Sequence, residues 1–187
     1  MTRPANIYLR IATVDDIPAL RILIERSVRD LQAGDYTPMQ IEGALNHTLG
    51  LDTQLIDDQT YFIAEVDGTL AACGGWSYRA TLFGSDHGPG RVATSLDPAT
   101  QPAKIRAIFV HPGFSRQGLG SLILAHCERA AQYAGFQRVE MGSTLTGVPL
   151  YTLRGYREIE RIAVPLPNGE ALPIVWMTKT FAAIPTA

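Results

Sequence analysis

The segment Ile108-Phe109-Val110-His111-Pro112-Gly113-Phe114-Ser115-Arg116-Gln117-Gly118-Leu119-Gly120-Ser121 constrains this chain more than any other. An apolar run from Lys104 to Val110 stops at a proline, which has no amide to continue a ladder. A helical stripe of Leu119, Ile123, Cys127, Ala130 and Ala134 then begins. The pattern predicts a strand, a glycine-bearing loop and a helix, in that order. Amides at a helix start lack intrahelical acceptors and carry the positive end of the helix dipole. With no side chains at Gly118 and Gly120, that backbone can wrap a phosphate.

Spacing decides which kind of phosphate loop this is. A Walker-type loop requires Lys and Ser/Thr directly after its second glycine, but Gly113 and Gly118 are followed by Leu119 and Gly120. A dinucleotide loop needs a third glycine where helix and strand touch, and Gly118-Leu119-Gly120-Ser121-Leu122 runs into Ile123 instead. Glu140 lies at a suitable distance downstream and keeps that reading open. Against it, roughly eight residues separate the strand end from the critical glycines, where a dinucleotide turn is tight. What fits is Val110-x-Pro112-x-x-x-Arg116-Gln117-Gly118-x-Gly120, which resembles the acyl-CoA pyrophosphate loop of the GCN5-related N-acetyltransferases. Ser115 stands where that family often has Gln or Arg, a small departure in a loop that binds mainly through backbone amides.

The rest of the chain alternates strands and helices. Ile7 to Ile11 reads as a short strand. A helix capped by Thr13 or Asp15 follows, with Ile17, Leu20, Ile24, Ser27 or Val28, and Leu31 as its apolar stripe; Pro18 favours the later cap. Thr37-Pro38-Met39-Gln40 is a capping box for a second helix, whose inner face is Ile41, Ala44, Leu45 and Leu49. Tyr61 to Val66 and Leu70 to Tyr78 read as strands joined by a tight turn at Asp67-Gly68. Arg79 to Gln101 has no periodicity to bury and is expected to be a long loop, either a lid or disordered. A strand over Arg138 to Met141 and a short helix from Pro149 to Leu153 come next. Tyr156 to Val164 and Ile174 to Phe181 close the chain around Pro167-Asn168-Gly169 as a hairpin. Pattern alone gives a mixed α/β layer fold with one domain over 1–187.

Composition narrows the function classes. Of 187 residues, 46% are hydrophobic and the net charge is -2, which suits one well-cored domain and argues against a nucleic-acid partner. The apolar runs fall short of a membrane span and Met1 to Ile11 does not read as a signal segment, so a cytoplasmic address is the default expectation. Two cysteines make no disulfide framework, and Cys127 is expected to be buried and inert. His47, His87, His111 and His126 show no metal-ligand spacing, so no metal is expected.

A second motif strengthens the resemblance: Tyr151-Thr152-Leu153-Arg154-Gly155-Tyr156 is similar to the Y-x-x-x-G-F/Y element of the same family. The order of elements is also similar across nearly the whole chain. The resemblance implies an acyl-CoA N-acyltransferase fold, a mixed twisted sheet splayed between the Lys104 and Arg138 strands and flanked by helices. It implies acetyl-CoA as co-substrate, with Ile108, Phe109 and Val110 along the pantetheine arm. Arg116, Gln117, Gly118, Leu119, Gly120 and Ser121 would hold the pyrophosphate. Thr144 replaces a common Asn and would contact CoA through its hydroxyl, while an amide near Val110 would stabilise the thioester oxygen. Tyr151 would be the acid that protonates the leaving thiolate, and Glu140 is the candidate base. Direct transfer to a primary amine follows, with a small-molecule acceptor preferred over a protein N-terminus or lysine. A noncatalytic acyl-CoA-binding module is the alternative. The family's habits allow a homodimer, of which the sequence carries no independent sign. Arg79, Arg91, Lys104 and Arg106 are expected to be solvated surface charges. Gly74-Gly75 should mark a bulge or a close approach.

Overall fold

The computed structural model describes residues 6–88 and 91–182, so Pro89 and Gly90 of the long loop lie outside the described residues. The elements run β1 (Ile7–Ile11), α1 (Ile17–Leu31), α2 (Pro38–Ala44), α3 (Gln54–Asp57), β2 (Tyr61–Val66), β3 (Thr69–Ser77) and β4 (Ala103–Val110). After the loop come α4 (Leu119–Tyr133), β5 (Arg138–Thr144), α5 (Val148–Leu153), β6 (Arg157–Pro165) and β7 (Ala171–Thr180). The strands form a seven-stranded sheet in the order β1-β2-β3-β4-β5-β7-β6. No described helix is long and apolar enough to cross a membrane.

Local signals account for most of the boundaries. Thr37 accepts from the Gln40 amide while the Gln40 side chain accepts from the Thr37 amide, the reciprocal cap that its sequence predicts. The first helix is entered differently from either predicted cap. Thr13 and Asp16 box a single 3-10 turn over Val14–Asp16, and α1 continues from it with Pro18 in its first turn. Asp67 and Gly68 have φ of 48° and 80°, the paired left-handed conformations of a tight hairpin turn. The four-residue α3 sits in a polar stretch with no helical period, and its Leu55 and Ile56 are buried.

The sheet separates two hydrophobic layers. One packs α1, α2 and α3 on one side, around Leu20, Ile24, Val28, Leu55, Tyr61 and Ile63. The other holds α4 and α5, with Ile123, Leu124 and Cys127 meeting Val139, Met141 and Tyr151. Trp76 belongs to this second layer, edge-on to Phe136, and is core rather than pocket wall. Cys73 and Cys127 are both free and buried, and burial pushes the Cys73 thiol up to about 12.

Two irregularities shape the functional end. β4 and β5 are parallel but paired only at Ala103–Val139 and Lys104–Glu140, so the two strands splay apart beyond that point. β4 also bulges: Cys73 faces Phe109 and Gly75 faces Arg106, so Gly74 alone stands against Ala107 and Ile108. Ala107 has φ of 51°, and its carbonyl accepts the Tyr61 hydroxyl at 2.9 Å. Gly74 makes the approach feasible, since a Cβ there would lie 2.6 Å from Ile108 Cγ1 and 2.7 Å from Ile123 Cγ2.

Candidate active site

The splay between β4 and β5 opens a cleft of about 670 Å³ that runs to the start of α4. Its phosphate-ready end is the loop. Gly118 is the N-cap of α4 with φ of 85°, and Arg116 has φ of 62°, so the chain turns sharply twice before the helix. Among the described residues, no backbone amide from Arg116 to Ser121 donates to a protein acceptor; the first helical bond runs from Leu122 to the Gly118 carbonyl. These are unpaired donors at a dipole's positive end. Gly120 keeps the wall thin, because a Cβ there would come within 3.3 Å of Leu150 Cδ2. Arg154 adds a cation at the same place, donating through Nε to Ser121 Oγ at 3.2 Å.

Along the cleft, Ile108, Phe109 and Val110 line one wall, and Thr144, Gly147, Leu150 and Tyr151 the other. Thr144 Oγ1 accepts from the Gly147 amide, which fixes its side chain and leaves the hydroxyl proton free. Gly147 is required for Tyr151 to sit where it does, since a Cβ would meet the ring at 2.7 Å. Tyr151 is 8% exposed, packs edge-on to Tyr156 and has its pKa raised by burial. It therefore holds its proton at neutral pH.

A second, narrower pocket of about 70 Å³ continues from the cleft's inner end, between β4 and the long loop. Gln32, Ile108, Phe109, Thr144 and Tyr151 line both spaces and mark their junction. Leu82, Phe83 and Gly84 of the long loop form part of the inner pocket's wall. This loop is tied down. Arg106, only 4% exposed, donates to the carbonyls of Thr81 and Gly84 and to Asp52 Oδ2, and Arg91 reaches Asp52 Oδ1 and the Ser85 carbonyl. Arg79 bridges Asp58 through two nitrogens.

Ten of the predicted site residues come together in the cleft: Ile108, Phe109, Val110, Arg116, Gly118, Leu119, Gly120, Ser121, Thr144 and Tyr151. Two do not. Gln117 is exposed and outside the lining. Glu140 sits at the closed end of the splay with Oε2 held 2.8 Å from Lys104 Nζ, and it lines neither space. A carboxylate engaged there, on the wrong side of the ladder's end, is not placed to take a proton from a group in the cleft.

Three other expectations need correction. The Val110 amide is not free for a thioester oxygen, because Ser27 Oγ accepts it at 3.3 Å. Lys104 and Arg106 are buried rather than solvated, and all four cations, including the more exposed Arg79 and Arg91, pair with a carboxylate. The Arg79 to Gln101 loop is neither a free lid nor disordered in its described residues, being pinned by those pairs. His111 caps the 3-10 turn at Pro112, its Nδ1 accepting from the Gly113 amide, and does not line the cleft. Sequence reasoning also missed Ser27, Leu31 and Gln32, which α1 brings to the cleft. Ser27 and Leu31 belong to a helix stripe that reads as packing, and Gln32 follows them as the C-cap.

The sequence profile described as the Acetyltransferase (GNAT) family matches residues 26–156. The chain belongs to this family. The match takes in both the loop and Tyr151, the two ends of the cleft. Solved structures agree on the fold. A GCN5-related N-acetyltransferase (aminotransferase, class II) of Rhodopseudomonas palustris superposes with a TM-score of 0.70 at 19% identity, over 97% of this chain and 99% of that one. PaiA N-acetyltransferase of Thermoplasma acidophilum, solved in complex with coenzyme A, gives 0.63 at 13% identity over 94% and 99%. YncA of Salmonella typhimurium, solved with its cofactor acetyl-CoA, gives 0.62 at 16% over 97% and 99%. No curated protein sequence matches the chain.

Proposed function

We propose that this GNAT acetyltransferase moves an acetyl group from acetyl-CoA directly to a primary amine of a small molecule. The observation that carries the proposal is the cleft itself. It joins the unpaired amides of Arg116 to Ser121 at one end to the Tyr151 hydroxyl at the other, along a strand edge that β5 has left. Coenzyme A is a diphosphate joined to an extended amide-bearing arm. Free amides at a helix start suit the diphosphate, and the edge of β4 that β5 leaves, apart from the Val110 amide held by Ser27, suits the arm as an added strand. The relatives solved with coenzyme A and acetyl-CoA support the same reading.

In this scheme the amine lone pair attacks the thioester carbon, the carbon–sulfur bond breaks, and the departing thiolate takes the Tyr151 proton. A phenol holds its proton at neutral pH and so has one to give to the thiolate. The amine attacks as its free base, and the proton its nitrogen then loses returns through water in the cleft to the Tyr151 phenolate; the carboxylates of Glu140 and Asp52 are already engaged by Lys104 and by Arg91 with Arg106. The narrow inner pocket supports a small acceptor.

Thiol release from acetyl-CoA, measured across a panel of amines, tests the proposal. Tyr151→Phe should lower kcat on the order of a hundredfold, within the usual range for a general acid, while leaving the acetyl-CoA KM nearly unchanged. Coenzyme A binding with no turnover on any amine, and a Tyr151→Phe variant indistinguishable from the parent, would establish the noncatalytic binding module instead.

A further inference from the structure

The junction and inner pocket hold two polar groups that the fold does not use. Gln32 ends α1 as its C-cap, is 6% exposed, and its Oε1 has no hydrogen-bond partner among the described residues. Thr48, 5% exposed, lines the inner pocket with its Oγ1 equally unpartnered. Leaving a buried acceptor or hydroxyl unpaired costs stability, and native structures avoid it unless the group has another use. Both residues line the inner pocket that meets the cleft at this junction. Gln32 is one of the residues shared by the two spaces and so stands at the junction with Tyr151.

We infer that Gln32 and Thr48 recognise the acceptor, Gln32 Oε1 accepting an N–H of the attacking amine and the Thr48 hydroxyl meeting a neutral polar group further along. The charge around them sets the substrate class. Among the described residues no carboxylate lines the inner pocket. The nearby acid Asp52 is shared by Arg91 and Arg106, and Glu140 is held by Lys104, so nothing there receives a second ammonium. Arg106 also lines the pocket, its guanidinium held by Asp52 and the carbonyls of Thr81 and Gly84, while Leu82, Phe83, Met141 and Ile174 make much of the remaining wall apolar. The acceptor is thus a compact monoamine bearing a hydroxyl or amide, and polyamines and aminoglycosides are poor substrates. This inference rests on the acetyltransferase reading above.

Steady-state kinetics with leucinamide and 1-amino-2-propanol against putrescine and spermidine test it. The monoamines should exceed the polyamines in kcat/KM by about tenfold or more, the ratio that a 1.4 kcal/mol difference gives. Gln32→Met and Thr48→Val keep size and remove the polar group. Each should raise the amine KM severalfold, leave the acetyl-CoA KM unchanged, and leave the melting temperature unchanged or higher, since an orphaned polar group is gone. A structural role gives the reverse signature. Variants that melt lower while keeping the parent's amine KM would overturn the inference, as would a preference of the parent for spermidine, or coenzyme A binding without turnover of either monoamine. Calorimetry with coenzyme A on the parent separates the two proposals, because absence of binding defeats the acetyltransferase reading itself.

Discussion

Gly118→Ala isolates the loop's contribution to donor binding. Gly118 holds φ of 85° and ψ of -1°, and an added Cβ would meet no atom within 4 Å. The substitution therefore introduces no clash, and its whole effect is conformational. A left-handed conformation costs an L-residue roughly 1–2 kcal/mol. Residues 116–118 are exposed, so the free protein can relax this strain locally with little loss of global stability. Binding a diphosphate requires the amides to converge again, and the cost then appears in the affinity. It corresponds to a Kd for coenzyme A about 5- to 30-fold higher. Isothermal titration with coenzyme A and with pantetheine, which has no phosphate, reads the difference. The variant should lose affinity for the first and keep it for the second. Unchanged coenzyme A binding at unchanged melting temperature would refute a role for the loop backbone, and an equal loss for both ligands would place the defect elsewhere in the cleft.

Gly74→Ala should act through the bulge. The new methyl would lie 2.6 Å from Ile108 Cγ1 and 3.1 Å from Ile108 Cα, and the backbone atom has no room to yield. A loss of about 1–3 kcal/mol in urea unfolding and a higher acetyl-CoA KM are expected; unchanged values would mean that the bulge does not shape the cleft. Asp52→Asn removes the charge facing Arg106, whose burial already disfavours its charged form. Breaking a buried pair of this kind costs about 3–5 kcal/mol. The pinned loop should become protease-sensitive between residues 79 and 101, and an unaffected unfolding midpoint would count against the pair. Acid should also weaken the fold through Asp16, whose carboxyl is held at about 2 by hydrogen bonds from Arg10. A depressed folded-state pKa stabilises the protein above the ordinary carboxylate range, and that stabilisation is lost as pH falls toward about 2. Unfolding midpoints measured from about pH 5 downward should drop less steeply in Asp16→Asn; identical slopes would exclude the pair.

The loop, the Thr37 cap, the Asp67-Gly68 turn and Tyr151 were legible because each is a short-range signal whose meaning depends on neighbouring residues. Gly118 needs a left-handed turn and Gln40 answers Thr37 three residues away, so sequence spacing and geometry coincide. The long-range chemistry was not legible in the same way. Asp52 and Arg106 are 54 residues apart, and only the folded sheet brings them together. Nothing local distinguishes Arg106 from a surface cation. Glu140 is on the expected strand, but whether its carboxylate faces the cleft or Lys104 depends on where the β4–β5 ladder ends. The bulge was half legible: Gly74-Gly75 signalled a close approach, while the extra residue lies across the ladder at Ala107, an unremarkable alanine made left-handed by its context. Gln32 was missed because a polar residue ending a helix reads as solvated.

The central claim is that the cleft delivers acetyl from acetyl-CoA straight to an amine. Carbon-labelled acetyl-CoA incubated with the protein and each amine of the panel, followed by separation of small molecules from protein, tests it most directly. The label should appear on a small amine, only in its presence, with none retained by the protein. Label that stays on coenzyme A with every amine while coenzyme A binds, or that accumulates covalently on the protein, would contradict it.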